Sequence, residues 1–299
     1  MQPPEPSPQI GILDAVPPVG SVLVFDADPG LDVRRALDSL RDVKRRPDVT
    51  IGLGAPLALA LLGHEKAFGL RSFPAMSGVG VAFPSTQGAL WLSIRGGERG
   101  EVLDRAMELQ RAIGPGWRLL EEVETFRYRG GRDLTGYEDG TENPKEDAAV
   151  SAAIIQGRGP GLDGGSFVAV QRYVHDLERF QRFDQAGRDG IIGRRFDTNE
   201  EIPDAAVTAH VKRSAQESFD PPAFMVRRSM PWGTLREHGL YFVAFGESLD
   251  RFERVLHRMA GLDDGKVDGL MGVTRAVSGG YYFCPPVVDG ELDLRAFGL

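Results

Sequence analysis

The segment GYEDGTENP, residues 136–144, sets a carboxylate where it could transfer a proton. Gly136 and Gly140 allow sharp bends or a close approach to a ligand, and Pro144 biases the preceding residue away from helix. We therefore expect Asp139 on a rigid loop between larger hydrophobic elements, which is a common place for a functional side chain. A carboxylate held there could act as a general acid or base.

The chain has five histidines: His64, His175, His210, His238 and His257. A histidine taken alone is more often structural or exposed than functional, and His175 could cap the helix that follows it. His210 is distinguished by the small residues 205–209 before it and by Val211 after it. A histidine on such a low-polarity segment suits an axial haem ligand, with its second ring nitrogen donating to a partner. A buried histidine bonded to backbone remains the alternative.

Composition limits the classes of function. The chain of 299 residues is 41% hydrophobic, 26% charged and carries a net charge of −8, which argues against a general nucleic-acid or anionic-membrane surface. Cys284 is the only cysteine, so an internal disulfide and a cysteine-rich metal site are excluded, as in a reducing cytoplasm. The apolar run at 51–63 is too short to cross a bilayer. Residues 1–18 are proline-rich, lack a signal-peptide pattern and are expected to form a disordered or extended arm.

The first half of the chain follows a ferredoxin-like order, and we expect it to form a domain over residues 19–130. The patterns predict strands at 21–25, 49–52, 89–94 and 117–128, an extended segment at 79–83, and helices at 31–46, 56–62 and 99–113. Strand, helix, strand, strand, helix, strand is the split βαβ arrangement. Gly130 and Gly131 end this unit.

The second half repeats this pattern over residues 131–299 without a residue-level repeat. Strands are predicted at 165–173, 240–245 and 281–284, extended segments at 208–213 and 223–230, and helices at 177–183 and 249–259. The predicted fold class is therefore α+β: two ferredoxin-like halves, each an antiparallel sheet with helices packed on it, of the dimeric α+β barrel type.

Three stretches together resemble one enzyme family. They are GYEDGTENP, the segment Thr208-Ala209-His210-Val211, and RRSMPWG at residues 227–233, accompanied by GSFVAVQRYVHDLE, IIGR and GLYFVAF. This combination resembles the dye-decolourising peroxidases, a haem enzyme family, and most closely its compact class B members. The resemblance implies one haem b per chain with His210 as the proximal ligand of the iron.

The same resemblance implies roles for further residues. Asp139 and Arg227 would be the distal catalytic pair, and Arg194 of the IIGR stretch would bind a haem propionate. Ser229 would lie in the distal pocket, and Phe242, with Phe245, would form an apolar haem wall.

Two positions depart from the pattern of the relatives. Ser229 stands where many of them have Asn. In the stretch 268–272, DGLMG, Gly272 stands where many relatives carry the acid that accepts a hydrogen bond from the proximal histidine. We therefore expect His210 to lack its usual anionic partner, unless Asp268, a backbone carbonyl or water replaces it.

The resemblance implies a haem-dependent peroxidase that reduces hydrogen peroxide and oxidises dyes, phenols or other one-electron donors. Asp139 and Arg227 would assist heterolysis of the O–O bond, and an Asp base predicts activity that favours acidic pH. The enzyme would be a cytoplasmic homo-oligomer without nucleic-acid or membrane partners. One alternative is a haem-binding or haem-delivery protein of the same fold with little turnover. Another is a cofactor-free binding protein in which Asp139 caps a helix and His210 is structural.

Overall fold

The computed structural model describes residues 5–43, 48–63 and 67–299. His64, the end of the helix predicted at 31–46 and the first four residues of the predicted arm lie outside these ranges. The helices are α1 Ile10–Leu13, α2 Val33–Val43, α3 Ala55–Leu62, α4 Arg99–Ile113, α5 Glu146–Ala153, α6 Leu177–Gln181, α7 Gln185–Ile192, α8 His210–Arg213 and α9 Leu249–Met259. The strands are β1 Val19–Ala27, β2 Val49–Gly54, β3 Met76–Gly78, β4 Val81–Phe83, β5 Leu90–Gly96, β6 Trp117–Phe126, β7 Ser166–His175, β8 Val226–Arg227, β9 Met230–Gly233, β10 His238–Gly246, β11 Thr274–Ala276, β12 Gly280–Cys284, β13 Val287–Val288 and β14 Glu291–Leu292.

The N-terminal half forms an antiparallel sheet in the order β6-β1-β5-β2, which is the ferredoxin-like order. Helix α4 has the predicted bounds because both of its ends are specified by sequence. The Glu98 side chain accepts hydrogen bonds from the first free amides, and Gly114 leaves the helix with φ 74°. Its apolar face, which is buried, consists of Val102, Ala106, Leu109 and Ile113.

The C-terminal half repeats the order as β12-β7-β10-β8, with β9 paired to β10 and β11 paired to β7. The two halves meet where β12 pairs antiparallel with β2, through Tyr282 opposite Gly54 and Phe283 opposite Leu53. Within the described residues this joins them into one ten-stranded sheet. The predicted α+β class with two ferredoxin-like halves is confirmed.

Some local predictions were wrong. Residues 208–213, expected to be extended, end in helix α8, where the Ser214 hydroxyl donates to the His210 carbonyl and the Arg213 guanidinium pairs with Asp264. Helices α5 and α7 were not predicted, whereas the segment 79–83 is extended as expected over β4, Val81–Phe83. The described part of the N-terminal arm is ordered against the rest of the chain.

That arm packs on both halves. Ser7 pairs with Val287 through backbone hydrogen bonds in both directions. The buried Gln9 side chain donates to the carbonyls of Ile51 and Pro285 and accepts from the Ile51 amide. A buried side-chain amide with both N–H donors and its oxygen bonded fixes the arm in one register.

In the part of the chain that the structure describes, no helix combines the length and the apolar character that crossing a membrane requires.

Candidate active site

A largely apolar cavity of about 690 Å³, including its open mouth, lies between helix α9 and strands β7 and β10. Apolar side chains from several elements form most of its wall: Met225, Leu240, Phe242, Phe252, Val255, Leu256, Met259, Leu270 and Met271. Its polar lining includes Asp139, His210 and Arg227, so three predicted site residues from distant parts of the sequence share this cavity with Phe242.

His210 is the first residue of α8, and its ring is held by a buried carboxylate. His210 Nδ1 lies 2.7 Å from Asp268 Oδ2, and the Asp268 side chain is fully buried. The other oxygen of Asp268 accepts from the Leu270 amide, which fixes the carboxylate at the start of the 3-10 helix Gly269–Gly272. Burial lowers the pKa of His210, while the charge and hydrogen bond of Asp268 and the charge of Asp139 raise it, and the net direction is upward.

Of the three substitutes that the sequence left open for the acid missing at Gly272, the structure therefore shows Asp268. Asp268 supplies the carboxylate from the beginning of the DGLMG stretch, whereas Gly272, at the position where relatives carry the acid, is exposed. With Nδ1 engaged, Nε2 is the nitrogen that remains for a metal. The reading of His210 as a histidine bonded to backbone is not what the structure shows.

Asp139 lies on the irregular loop that the glycines predicted. Its amide donates to the Gly131 carbonyl at 3.2 Å, and Gly140 follows with φ 75°. Burial raises the pKa of Asp139, while the nearby positive charge of Arg227 opposes part of that rise. Asp139 caps no helix, because the residue that precedes α5 is Lys145.

Asn143 connects this loop to the strand that carries Arg227. Its side-chain nitrogen donates to the Arg227 carbonyl at 3.0 Å, and its side-chain oxygen accepts from the Arg227 amide at 2.8 Å. A Cβ on Gly140 would lie 2.8 Å from that nitrogen, so glycine leaves the room that the Asn143 amide occupies. The motif thus positions both Asp139 and Arg227.

Arg228, the next residue, is bonded elsewhere. Its guanidinium donates to the carbonyls of Leu13 and Arg227. Arg228 is not part of the lining of the apolar cavity, whereas Arg227 is. Neighbours in an extended segment point to opposite faces, so only Arg227 of the two reaches the apolar cavity.

Three residues of the sequence hypothesis lie outside the lining of this cavity. Arg194 pairs with Glu142 and donates to the Asn199 carbonyl. Ser229 accepts from the Val243 amide and lines a neighbouring cavity. Phe245 is buried in a different cluster, near Trp91.

Sequence reasoning missed one row of polar side chains in the cavity. Gln171, Tyr173 and His175 alternate along β7 and so face the same side of the sheet. The Tyr173 hydroxyl donates to Gln171, and His175 lies between Asp133 at 3.0 Å and Thr274 at 2.7 Å. Strand periodicity, applied to the strand predicted at 165–173, could have identified the first two.

A comparison of the sequence with protein families matches residues 130–289 to the model described as "Dyp-type peroxidase, C-terminal". Among curated proteins, the chain is similar to the dye-decolorizing peroxidase of Mycolicibacterium paratuberculosis, at 28% identity over 95% of this chain and 84% of that protein. It is also similar to the dye-decolorizing peroxidase of Mycobacterium tuberculosis, at 29% identity over 90% of this chain and 82% of that protein.

Solved structures give the same result. The dye-decolorizing protein from Vibrio cholerae superposes with a TM-score of 0.82 at 28% identity, covering 93% of this chain and 96% of that one. A variant of DypB from Rhodococcus jostii, solved in complex with haem, superposes with a TM-score of 0.84 at 28% identity over the same shares of the two chains.

Proposed function

Because this chain belongs to the Dyp-type peroxidase family and is a haem peroxidase, we propose that His210 binds the haem iron while Asp139 and Arg227 act on peroxide. The observation that carries this assignment is that all three side chains line one largely apolar cavity. Haem delivery without turnover is not favoured, since the relatives that align with most of the chain are named as peroxidases.

The lining of the cavity fits a haem. Apolar side chains cover most of it, as the porphyrin faces require, and His210 offers Nε2 while Asp268 holds Nδ1. Gln171 Nε2 is buried without a partner in the described part of the chain, so a donor is left for a polar edge of the cofactor. We propose that Phe242 forms part of the apolar wall. Arg194 would have to leave Glu142 before it could bind a propionate.

When bound, the haem supplies the iron at which peroxide is reduced and the oxidising equivalents that one-electron donors then consume. The chain must move a proton from one peroxide oxygen to the other, so that the departing oxygen leaves as water. We assign that transfer to Asp139, which is held near Arg227 on the loop described above. The guanidinium of Arg227 stabilises the negative charge that develops as the O–O bond breaks. Ser229, two residues after Arg227, lines the neighbouring cavity, and we propose that it contributes to the distal pocket from there.

Asp268 keeps His210 in a defined orientation and tautomer. A carboxylate that accepts from Nδ1 makes Nε2 a better electron donor to a metal, and this favours O–O cleavage. Asp268 therefore takes the place of the acid that is missing at Gly272.

The test is haem reconstitution of the wild type beside His210→Ala, Asp139→Ala and Arg227→Ala. We expect a Soret band in the wild type that is lost or strongly altered only in His210→Ala. Asp139→Ala and Arg227→Ala should bind haem but react with peroxide more slowly, by about 10²–10³-fold. Equal reaction rates in all haem-loaded variants would contradict the assigned roles, and equal Soret bands would contradict the ligand.

Further proposals rest on the family and on composition. We propose dyes and phenols as donors, residues 131–299 as the haem-binding domain and 19–130 as its partner domain. The single, buried Cys284 supports a cytoplasmic location. We propose a homo-oligomer because the family that this chain resembles assembles in this way. Gel filtration with light scattering tests the assembly.

A further inference from the structure

A second cavity lies next to the apolar one and shares Asp139 and Arg227 with it. It has a volume of about 530 Å³, including its open mouth. Its wall combines polar and apolar side chains, and most of it comes from the segment after β6, the Asp139 loop and the strand that carries Arg227. Asn143 and Ser229 also line it.

The charge of this second cavity is strongly unbalanced. Arg127, Arg132, Arg227 and Arg228 line it, and Asp139 is the one carboxylate in the lining that the structure describes. The whole chain, by contrast, has a net charge of −8. A concave site that gathers cations in an acidic protein attracts anions locally.

Two of these arginines lack the partners that buried guanidinium groups usually have. The Nε atoms of Arg227 and Arg228 are buried without a hydrogen-bond partner among the described residues. Arg228 donates only to carbonyls in its described bonds, and Arg132 is bonded to Glu138 at 3.1 Å. Burial, followed by the nearby charge of Arg95, lowers the pKa of Arg228, and the charge of Asp14 opposes part of that change.

We propose that the second cavity is a binding site for a small oxyanion or carboxylate, held by Arg227 and Arg228 with Arg127 at its mouth. Planar guanidinium groups bind such anions through paired, charge-assisted hydrogen bonds, and the unpartnered Nε atoms supply donors for them. The free hydroxyl hydrogen of Ser229 is a further donor, since its oxygen accepts from Val243.

One consequence, which rests on the proposed function, concerns peroxide chemistry. An anion bound to Arg227 would lie near Asp139 and oppose its ionisation, because like charges repel and the positive charge of Arg227 would be shared. The ligand would therefore slow the peroxide reaction without binding the iron. If no anion binds, the proposed site is overturned. If an anion binds but does not slow the peroxide reaction, only this consequence is overturned.

The test is isothermal titration of the haem-loaded protein with sodium sulfate and, separately, with sodium acetate, at constant ionic strength. We expect one saturable site with an unchanged Soret band, and the tighter of the two probes identifies the ligand class. Arg228→Gln should weaken binding by at least about tenfold, which is the effect of losing one charged hydrogen-bond pair. Arg127→Gln, at an exposed position, carries the same test if Arg228→Gln does not fold.

The matched control is Arg129→Gln, which removes one exposed positive charge close to the cavity but outside its lining. It should leave the dissociation constant within about twofold of the wild type, because a solvated charge has little effect at a distance. Absence of saturable binding for both probes would overturn the proposal. So would equal weakening in Arg129→Gln and Arg228→Gln, or a Soret shift that follows the binding curve.

Discussion

The side-chain amide of Asn143 forms hydrogen bonds to both the amide and the carbonyl of Arg227, across 84 residues of sequence. The Asn143 side chain thus makes the two backbone hydrogen bonds that a neighbouring strand would make to one residue of β8. Because Asp139 belongs to the same loop, this contact fixes the separation of the two groups that are proposed to act on peroxide. This positioning depends on only two hydrogen bonds, but the placement of catalytic groups strongly affects the reaction rate.

Asn143→Ala should therefore impair chemistry more than it impairs folding. Two lost hydrogen bonds reduce the free energy of unfolding by about 1–3 kcal/mol, while the misplaced Arg227 should slow the peroxide reaction by about 10–100-fold. Denaturant unfolding and stopped-flow absorption measure the two effects. Thr141→Ala, an exposed change in the same loop, should leave the rate unchanged. A rate loss equal in both variants would show that loop mobility, not this contact, matters.

Gly140→Ala tests why the motif contains glycine at this position. Alanine at a positive φ costs about 1–2 kcal/mol wherever it occurs. At Gly140 the new Cβ would also lie 2.8 Å from the Asn143 side-chain nitrogen. Gly130→Ala is the matched control, since Gly130 has φ 81° and open space around its Cβ position. We expect both variants to lose stability, and only Gly140→Ala to lose peroxide reactivity.

Asp268→Asn should change the electronic character of the proximal ligand. The amide keeps a similar size but removes the negative charge next to His210, so the reduction potential of the bound iron should rise. Spectroelectrochemical titration measures that potential. The peroxide reaction should slow by about 10–100-fold, while Asp263→Asn at an exposed position should change neither quantity. An unchanged potential in Asp268→Asn would refute the role given to this carboxylate.

The pH dependence of the reaction should report Asp139. Burial raises the pKa of Asp139, and a protonated carboxyl cannot accept the proton of peroxide. The rate should therefore fall as pH decreases through a pKa above the ordinary value of about 4. Rapid-mixing rates across the acidic range measure this limb, which should be absent from Asp139→Asn. Activity is therefore expected to favour acidic pH only down to the pKa of Asp139, and to fall below it.

The same shift predicts an effect on folding without the cofactor. A carboxyl whose pKa is raised in the folded state contributes most to stability below its unfolded pKa, and that contribution is lost as pH rises through the folded value. Haem-free Asp139→Asn should therefore melt at a higher temperature than the haem-free wild type at neutral pH. The difference should disappear below about pH 4. A wild type that is more stable than the variant at pH 7 would contradict the direction of the shift.

Much of the fold could be predicted because its signals are local. Helix α4 has a capping acid, an apolar stripe and a terminal glycine, and β10 has a continuous apolar run. Helix α5 was missed because it is short and its preceding residue, Lys145, makes no side-chain cap. Residues 208–213 misled because the β-branched Thr208 and Val211 favour strand, whereas tertiary contacts of Arg213 hold α8.

The site was only partly predictable, because several of its contacts join residues that lie far apart in the sequence. Asp139, His210 and Arg227 were found through a resemblance that motifs carry. The contacts from Asp268 to His210 and from Asn143 to Arg227 span 58 and 84 residues, so no local pattern announces them. The sequence left Asp268 as one of three possible substitutes for the acid missing at Gly272, and only the structure shows that it is the one used.

The pairing of β2 with β12 also has a consequence for solubility. An edge strand exposes unpaired amides and carbonyls to other molecules, and each half covers one edge strand of the other. Cleaving the chain near residue 130 would expose both edge strands, one of which carries the aromatic side chains of Tyr282 and Phe283. Isolated fragments should therefore aggregate, and mixing them should restore solubility.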